Sequence, residues 1–334
     1  MKASKSGSVR VDLLGGTLDI HPINLVLPNV VTLNMATGLM ANVLLDEDKS
    51  DRIKFISKDY DLTKSFSFNE LDNIDSMKDH FGPFEFLARI LRFFSPGTGM
   101  TIELSSGAPP GSGLGGSSAM GAVFFSACCD FFAQKYSASE IVRIVQNIES
   151  KILNAGPAGY QDYYPSLYGG ILALRSSERG ISVDQLYSKE LSSFVCENIR
   201  LVFSGESRDS GINNWEVYKG FFDGDKTIRR GLGDISALSL EAYQAIKDNN
   251  FLGLIDLISK EGSLRENLFP SILSPKMKEF KSDLAKSFPQ CGMKVCGAGG
   301  GGCFIITNAK DINLKILLDN YGMRELPLEI NPPH

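Results

Sequence analysis

The 334-residue chain predicts an α+β protein built as two halves that join near residue 180. Three observations lead there. A strand-like run, Thr101-Ile102-Glu103-Leu104, feeds a glycine-rich loop and then a strongly periodic helix. Near the C-terminus a second glycine cluster lies between apolar runs and reads as strand–turn–strand. Between the two, the chain returns to strand twice and then passes through four helical stretches, a grouping that belongs to α+β layers.

Taken in order, residues 8–60 read as short strands and turns. Gly82-Pro83 opens a helix with Phe84, Leu87, Ala88 and Leu91 on one face, closed by Ser95-Pro96-Gly97. The helix from Ser118 sets Met120, Val123, Phe124, Ala127, Cys128, Phe131 and Phe132 at the i, i+3, i+4, i+7 spacing of one buried face. Ser137-Ala138-Ser139-Glu140 is a capping box. It starts a helix carrying Ile141, Ile144, Val145 and Ile148, which ends near Asn154-Ala155-Gly156-Pro157. Gly169-Gly170-Ile171-Leu172-Ala173-Leu174 returns to strand. Residues 176–200 read as a polar connection into a strand at 199–203. Helices follow around 212–222, 234–248, 250–261 and 274–286. No internal repeat or low-complexity segment is present.

The first glycine segment is Pro109-Pro110-Gly111-Ser112-Gly113-Leu114-Gly115-Gly116-Ser117-Ser118-Ala119-Met120. It offers a ligand oxygen backbone N–H groups with no side chains in the way, beside the positive end of a helix. Such a loop is built to hold phosphate, whereas a flexible connector needs neither the glycines nor the paired serines. Gly111 to the serines imitates a Walker A loop, but no lysine precedes Ser117. Gly111, Gly113 and Gly116 also satisfy the dinucleotide pattern. Against that, Pro109 and Pro110 separate strand from loop, and the stretch that should end a second strand with an acid is helical. The second segment runs Lys294-Val295-Cys296-Gly297-Ala298-Gly299-Gly300-Gly301-Gly302-Cys303-Phe304-Ile305-Ile306. A strand rather than a helix follows it, so it is no dinucleotide site. A bulged hairpin is its plain reading; four consecutive glycines exceed that need and let backbone approach a ligand or another loop.

Composition narrows the function. Thirty-four Lys and Arg against 39 Asp and Glu give a net charge of −5, with no basic run, which excludes nucleic-acid binding as the main task. The six cysteines (128, 129, 196, 291, 296, 303) form no CxxC pair and read as buried free thiols. His21, His80 and His334 supply few nitrogen ligands for zinc. No apolar run follows the N-terminal lysines, and Asn24, Pro28, Asn29 and Asn34 break the most apolar stretch, so neither a signal peptide nor a membrane helix is expected. The expectation is a cytoplasmic enzyme, monomer or homodimer, acting on a small molecule, with no nucleic-acid or membrane partner.

A third motif opens the chain: Arg10-Val11-Asp12-Leu13-Leu14-Gly15-Gly16-Thr17-Leu18-Asp19-Ile20-His21-Pro22. Together the three segments resemble the GHMP superfamily of small-molecule kinases, which includes galactokinase, homoserine kinase, mevalonate kinase and phosphomevalonate kinase. The opening motif is similar to the galactokinase-type opening of an arginine, a glycine pair or Gly-Glu, and an aspartate nine residues after the arginine. The segment at 109–120 resembles the superfamily's phosphate loop and that at 294–306 its C-terminal glycine motif, in the right order over nearly the whole chain. Within the superfamily the heptose-phosphate and related sugar kinases are the nearest in pattern. The loop is Gly-Leu-Gly-Gly-Ser-Ser, and Gly159-Tyr160-Gln161-Asp162 through Gly169-Gly170 resembles their Gly-x-Gln-Asp segment.

The resemblance implies a two-domain fold. Residues 1–180 would form an N-terminal domain with a left-handed β-α-β crossover and the phosphate loop at 109–120. Residues 181–334 would form a ferredoxin-like domain with the glycine motif at 296–303. The active site would lie between them, with Gly299, Gly300 and Gly301 against the phosphate loop. It also implies ATP and Mg²⁺ as cofactors and transfer of the γ-phosphoryl group to a hydroxyl of a sugar or sugar phosphate. A mevalonate-pathway or homoserine-type kinase, or a non-catalytic nucleotide- and sugar-sensing relative, remains the alternative.

Each candidate residue carries two readings. Pro110, Gly111, Ser112, Gly113, Leu114, Gly115, Gly116, Ser117 and Ser118 would hold the ATP phosphates, and Ser117 or Ser118 would reach the metal or simply cap the helix. Glu149 is either a ligand for Mg²⁺ or an exposed helix glutamate. Asp162, among Tyr160, Tyr163 and Tyr164, is either the general base, with a pKa raised by desolvation, or a cap on the helix that follows. Arg10 would sit beside the transferred phosphate, or be a surface strand residue. The resemblance puts Asp19 on sugar hydroxyls, with Gly16, Gly299 and Gly300 beside the substrate; Asp19 is otherwise a turn residue. Arg208 would meet a substrate phosphate or pair with Asp209. The chain departs from the galactokinase pattern at Asp12, Leu18 and His21, so the resemblance does not extend to a galactose pocket.

Overall fold

The computed structural model describes residues 1–77, 79–153, 158–207 and 212–334. Its first sheet is organised by one long strand, β2 (Val31–Glu47), introduced here with its partner β1 (Lys2–Leu14). The first seven residues of β2 are all buried, and the rest alternate between buried and exposed. The strand is thus covered on both faces at one end and half-solvated at the other. In place of the short strands and turns expected over residues 8–60, residues 31–47 form one continuous strand that carries Asn34, Thr37 and Gly38 within it. Two of these side chains donate inside the protein: Asn34 Nδ2 to the Gln161 carbonyl and Thr37 Oγ1 to that of Val9.

Five further strands complete the sheet: β3 (Arg52–Ser57), β4 (Leu62–Ser67), β5 (Met100–Ser106), β6 (Ile171–Ser177) and β7 (Gly180–Gln185). The order is β4-β3-β5-β2-β6-β7, with β1 paired to β2. Only β3 and β5 run parallel among these pairs. The β6–β7 hairpin straddles residue 180, so the first sheet runs on to Gln185. The polar connection expected over 176–200 is therefore corrected: it holds β7 and the helix Lys189–Asn198, capped by Ser188. Polar alternation on an edge strand hid the first, and a short amphipathic pattern hid the second.

The second sheet contains β8 (Arg200–Phe203), β9 (Gly292–Val295), β10 (Cys303–Thr307) and β11 (Arg324–Leu326). Its order, β11-β8-β10-β9, is antiparallel throughout and places the strands 4-1-3-2 in chain order, the ferredoxin-like arrangement. The helices Lys226–Lys247 and Phe251–Leu268 pack together and link the two sheets, Phe251–Leu268 lying against β9 and Lys226–Lys247 against β2.

The helix Gly116–Phe131 lies against β1 and β2, between the helices Glu85–Phe93 and Ala138–Leu153. One buried face was expected, but Ala119, Ala122, Phe125 and Cys129 are buried as well, since the helix is covered on nearly every side. Ser137 and Glu140 make the capping box expected of them. One apolar cluster lies between this helix layer and the first sheet, and another lies at the second sheet. A third joins the halves, with Val9, Val11 and Leu33 meeting Leu254, Ile258 and Ile305. All six cysteines are free thiols, four of them buried.

Candidate active site

Strand β1 carries Arg10 and Asp12 into the centre of the molecule. Its pairing with β2 shifts register between Ser8 and Arg10 and again between Asp12 and Leu14. Bulges of this kind re-aim side chains beside functional sites. Arg10 is only 4% exposed, which removes the surface-strand alternative. Its Nε and Nη2 donate to Asp162 Oδ1 at 2.8 and 2.7 Å. Its Nη1 donates to the carbonyls of Gly113 and Cys296 at 2.7 and 2.6 Å. Burial works against the guanidinium charge, but the carboxylates of Asp162 and Asp12 outweigh it and raise the Arg10 pKa. One side chain thereby ties the first strand to the phosphate loop, the Asp162 segment and the C-terminal hairpin.

Asp162 is half-buried and caps nothing: the helix Tyr164–Tyr168 has Tyr163 at its N-cap with no side-chain cap bond. Glu149 is buried, and its Oε2 accepts from Ser118 Oγ at 2.8 Å and from the Tyr163 hydroxyl at 2.6 Å. That removes the exposed-helix reading. Burial pushes the Glu149 carboxyl up, against the hydrogen bonds from Tyr163 and Ser118.

The phosphate loop has a definite polarity. Gly111, Gly113 and Gly115 take positive φ (+69°, +72° and +70°), the left-handed region that favours glycine. Loop carbonyls point into the protein: Ser112 to the amide of Cys303, Gly113 to Arg10, Leu114 to the amide of Arg10, and Gly115 to the amide of Ala119. The N-cap is Gly115, with no side-chain cap bond, so neither serine caps the helix. The amides of residues 113–118 have no hydrogen-bond acceptor among the described residues. They are the orphan donors of a loop and a helix start. A cavity of about 880 Å³ opens over them. Its lining includes apolar Phe84, Phe86, Leu87, Leu104 and Met120 and polar Glu149, Asp162, Asn213, Asn214 and Glu216.

The second glycine segment does abut the loop, but not through the residues expected. A side chain on Gly297 would strike the Gly113 carbonyl, and one on Gly302 would strike that of Ser112. Gly299 packs on Ile272, the Gly300 amide donates to the Ile272 carbonyl, and Gly301 faces Glu206 and Ser207. The expectation for Gly299, Gly300 and Gly301 is corrected accordingly: Gly297 and Ala298 line the cavity. The hairpin register explains it, because the ends of the turn stay close to β9 and β10 while its middle bulges away.

The opening motif also differs in detail. Asp19 is buried, accepting from the Gln161 amide at 3.1 Å and from Gln161 Nε2 at 3.4 Å. Gly16 is pressed on Asp12, whose Oδ2 would lie 2.1 Å from an added Cβ. Neither is among the residues lining the cavity. Arg208, with Asp209, falls outside the described residues.

Sequence reasoning missed a buried charged set behind this wall. Asp12, Glu261, Arg265 and Lys294 are all 2% exposed or less. Lys294 Nζ lies 3.0 Å from Asp12 Oδ2 and 3.7 Å from Glu261 Oε2, and donates to the Asp12 carbonyl at 2.9 Å. Arg265 donates through Nη1 to Asp12 Oδ2 and through Nη2 to Thr17 Oγ1 and the Gly297 carbonyl. Burial opposes the Asp12 charge, yet Lys294 and Arg265 hold its carboxyl below the usual range, while burial raises that of Glu261. The signals were Asp12 where galactokinases have Asn, and a lysine inside the apolar strand Gly292–Val295. Arg265 escaped notice because the helix predicted over 250–261 stops short of it.

Residues 83–170 match the family model for the GHMP kinases N terminal domain. Over 320 residues the chain is 26% identical to the bifunctional fucokinase/GDP-fucose pyrophosphorylase of Arabidopsis thaliana, covering 91% of this chain and 29% of that protein. It is 25% identical over 224 residues to a mevalonate kinase of Methanothermobacter thermautotrophicus, covering 67% of this chain and 69% of that one. The chain thus spans under a third of the bifunctional relative. Its fold is similar to that of a D-glycero-D-manno-heptose 1-phosphate kinase from Bacteroides thetaiotaomicron, at TM-score 0.72 and 20% identity, over 100% of this chain and 97% of that one. Phosphate loop, Arg10–Asp162 pair and Ser118–Glu149 pair all sit within or against the matched segment, so residues 83–170 are similar to the N terminal domain of GHMP kinases and the whole chain is similar in fold to the heptose 1-phosphate kinase.

Proposed function

We propose that the chain is an ATP- and Mg²⁺-dependent kinase that phosphorylates a hydroxyl of a small polar metabolite, a sugar or sugar phosphate. The observation that carries this is the polarity of the phosphate loop: carbonyls held inward, amides of residues 113–118 left for an anion. An uncapped helix start with its dipole adds to their attraction for phosphate.

The residues present fit Mg²⁺. Among the described residues no group of three His, Cys, Asp or Glu could hold a metal alone, but Mg²⁺ commonly takes one or two protein ligands and completes its shell with phosphates and water. Buried Glu149 with Ser118 suits that role. ATP with its metal supplies the transferable phosphoryl group and offsets charge in the transition state. The chain's own residues then place the acceptor. Asp162 has both Arg10 bonds on Oδ1, leaving Oδ2 to take or orient the hydroxyl proton. Arg10 fixes that carboxylate and keeps positive charge close to the reacting oxygens. The apolar lining residues, Phe84, Phe86, Leu87 and Met120 among them, suit a nucleobase. The carboxylates and amides of Asp162, Asn213 and Glu216 suit the hydroxyls of a sugar.

ADP release against neutral sugars, hexose and heptose phosphates, uronic acids, mevalonate and homoserine tests the reading. Turnover of a sugar or sugar phosphate supports it. Turnover of mevalonate or homoserine alone would move the chain to the alternative kinase class. ATP binding with no turnover of any acceptor would make it a sensing relative.

A further inference from the structure

Six charged groups lie side by side within the protein: Asp162, Arg10, Asp12, Lys294, Arg265 and Glu261. Buried ion pairs are weak stabilisers, because desolvating the charges offsets most of their attraction. Apolar residues would fill the same space at less cost, so the cluster asks for another explanation.

Its donors supply one. Arg10 takes the carbonyls of Gly113 and Cys296, and Arg265 takes that of Gly297 at 3.1 Å. Lys294, on β9 of the second sheet, takes the carbonyl of Asp12 on β1 of the first at 2.9 Å. The amide of Ile212 takes the carbonyl of Ala298. Thus three consecutive carbonyls, at Cys296, Gly297 and Ala298, are turned into the protein. The amides of Gly297 and Ala298, both on the cavity wall, have no acceptor among the described residues. A carbonyl oxygen turned toward a triphosphate would repel it, so which way these peptide planes face decides whether the wall attracts or rejects an anion.

We propose that Arg265 is a positioning residue for the nucleotide phosphates: by holding the Gly297 carbonyl inward it keeps the Gly297–Ala298 peptide amide directed at the anion, extending the donor set of the phosphate loop onto the second half of the protein. Asp12, braced by Lys294, is the counter-charge that orients the guanidinium. Arg265 Nη1 reaches its carboxylate at 3.0 Å and a side chain on Gly16 would displace it, which accounts for the glycine there. The inference rests on the ATP-binding reading above.

The test uses the full chain and two variants, Arg265→Lys and Arg265→Met, with ATP, inorganic triphosphate and adenosine as calorimetric probes. Lysine keeps the charge facing Asp12 but lacks the forked donors that reach Gly297 and Thr17. Both variants should lose roughly 10-fold or more in affinity for ATP and triphosphate, about 1.4 kcal/mol, while adenosine affinity changes little. A purely structural arginine would lower the melting temperature and shift all three probes alike, or none, and either result overturns the inference. So does failure of both variants to melt cooperatively, which would make the cluster a folding device. No ATP or triphosphate binding by the unaltered protein would instead sink the nucleotide reading.

Discussion

At the scale of single residues, the site depends on which atoms are already committed. Asp162 spends Oδ1 on Arg10 and lines the cavity, so Asp162→Asn keeps an oxygen for Arg10 and removes the proposed base. Turnover of whichever acceptor the unaltered protein uses should fall by roughly 10²–10⁴-fold, with ATP affinity by calorimetry little changed. Near-normal turnover would make Asp162 a bystander. The glycines separate in the same way. A side chain at Gly115 would strike Asp162 Cγ at 2.9 Å and is strained by its positive φ, so substitution there confounds two effects. Gly116 has ordinary φ and open space where its Cβ would be. Gly116→Val should therefore fold normally and weaken ATP binding by about 10-fold or more; an unchanged dissociation constant would remove the helix start from the phosphate site. Asp162 and the loop glycines line one cavity, and residue type and spacing already marked them out. Which of two adjacent glycines faces the ligand was not legible there, because both fit one pattern and only the left-handed turn at Gly115 separates them.

At the scale of elements, the helix Ala138–Leu153 exists to bring Glu149 under the start of the helix Gly116–Phe131. Its capping box and apolar stripe are plain in the sequence, and so is the position of Glu149 near its C-terminal end. Its burial is not, since that depends on Tyr163 arriving from a different segment to donate to the carboxylate. Glu149→Gln keeps an oxygen for Ser118 and Tyr163 but removes the charge. The gain in ATP affinity that added Mg²⁺ produces should shrink by roughly 10–100-fold, the usual worth of a group supporting a bound metal. Titrations with and without MgCl₂ check this, and an undiminished Mg²⁺ effect would free Glu149 of the role.

At the scale of the molecule, the two halves are held together around buried carboxyls whose protonation couples to folding. Burial, then the nearby charge of Asp162, lifts the Asp19 pKa from 3.8 to about 7. Between those values the folded protein keeps a proton that the unfolded chain has released. Stability contributed by Asp19 is thus present at low pH and lost as pH rises toward 7, at about 1.4 kcal/mol per unit. Asp19→Asn has no such term, and flipping the Gln161 amide would let its unpaired Oε1 accept from the new side chain. The melting temperature of the variant relative to the unaltered protein should therefore rise from pH 5 to pH 8; a constant difference would place the Asp19 pKa near its ordinary value. By itself the sequence determined the α+β class, most of the helices, the Ser137–Glu140 capping box and the three motifs, because periodicity, capping residues and glycine spacing are local properties. Only the tertiary structure decided that Gly297 and Gly302, rather than Gly299, Gly300 and Gly301, meet the phosphate loop, and that Asp12, Glu261, Arg265 and Lys294 share one buried space. Those outcomes depend on hairpin register and on contacts between residues as far apart as Asp12 and Lys294, where no local pattern records which charges will be left to face each other without water.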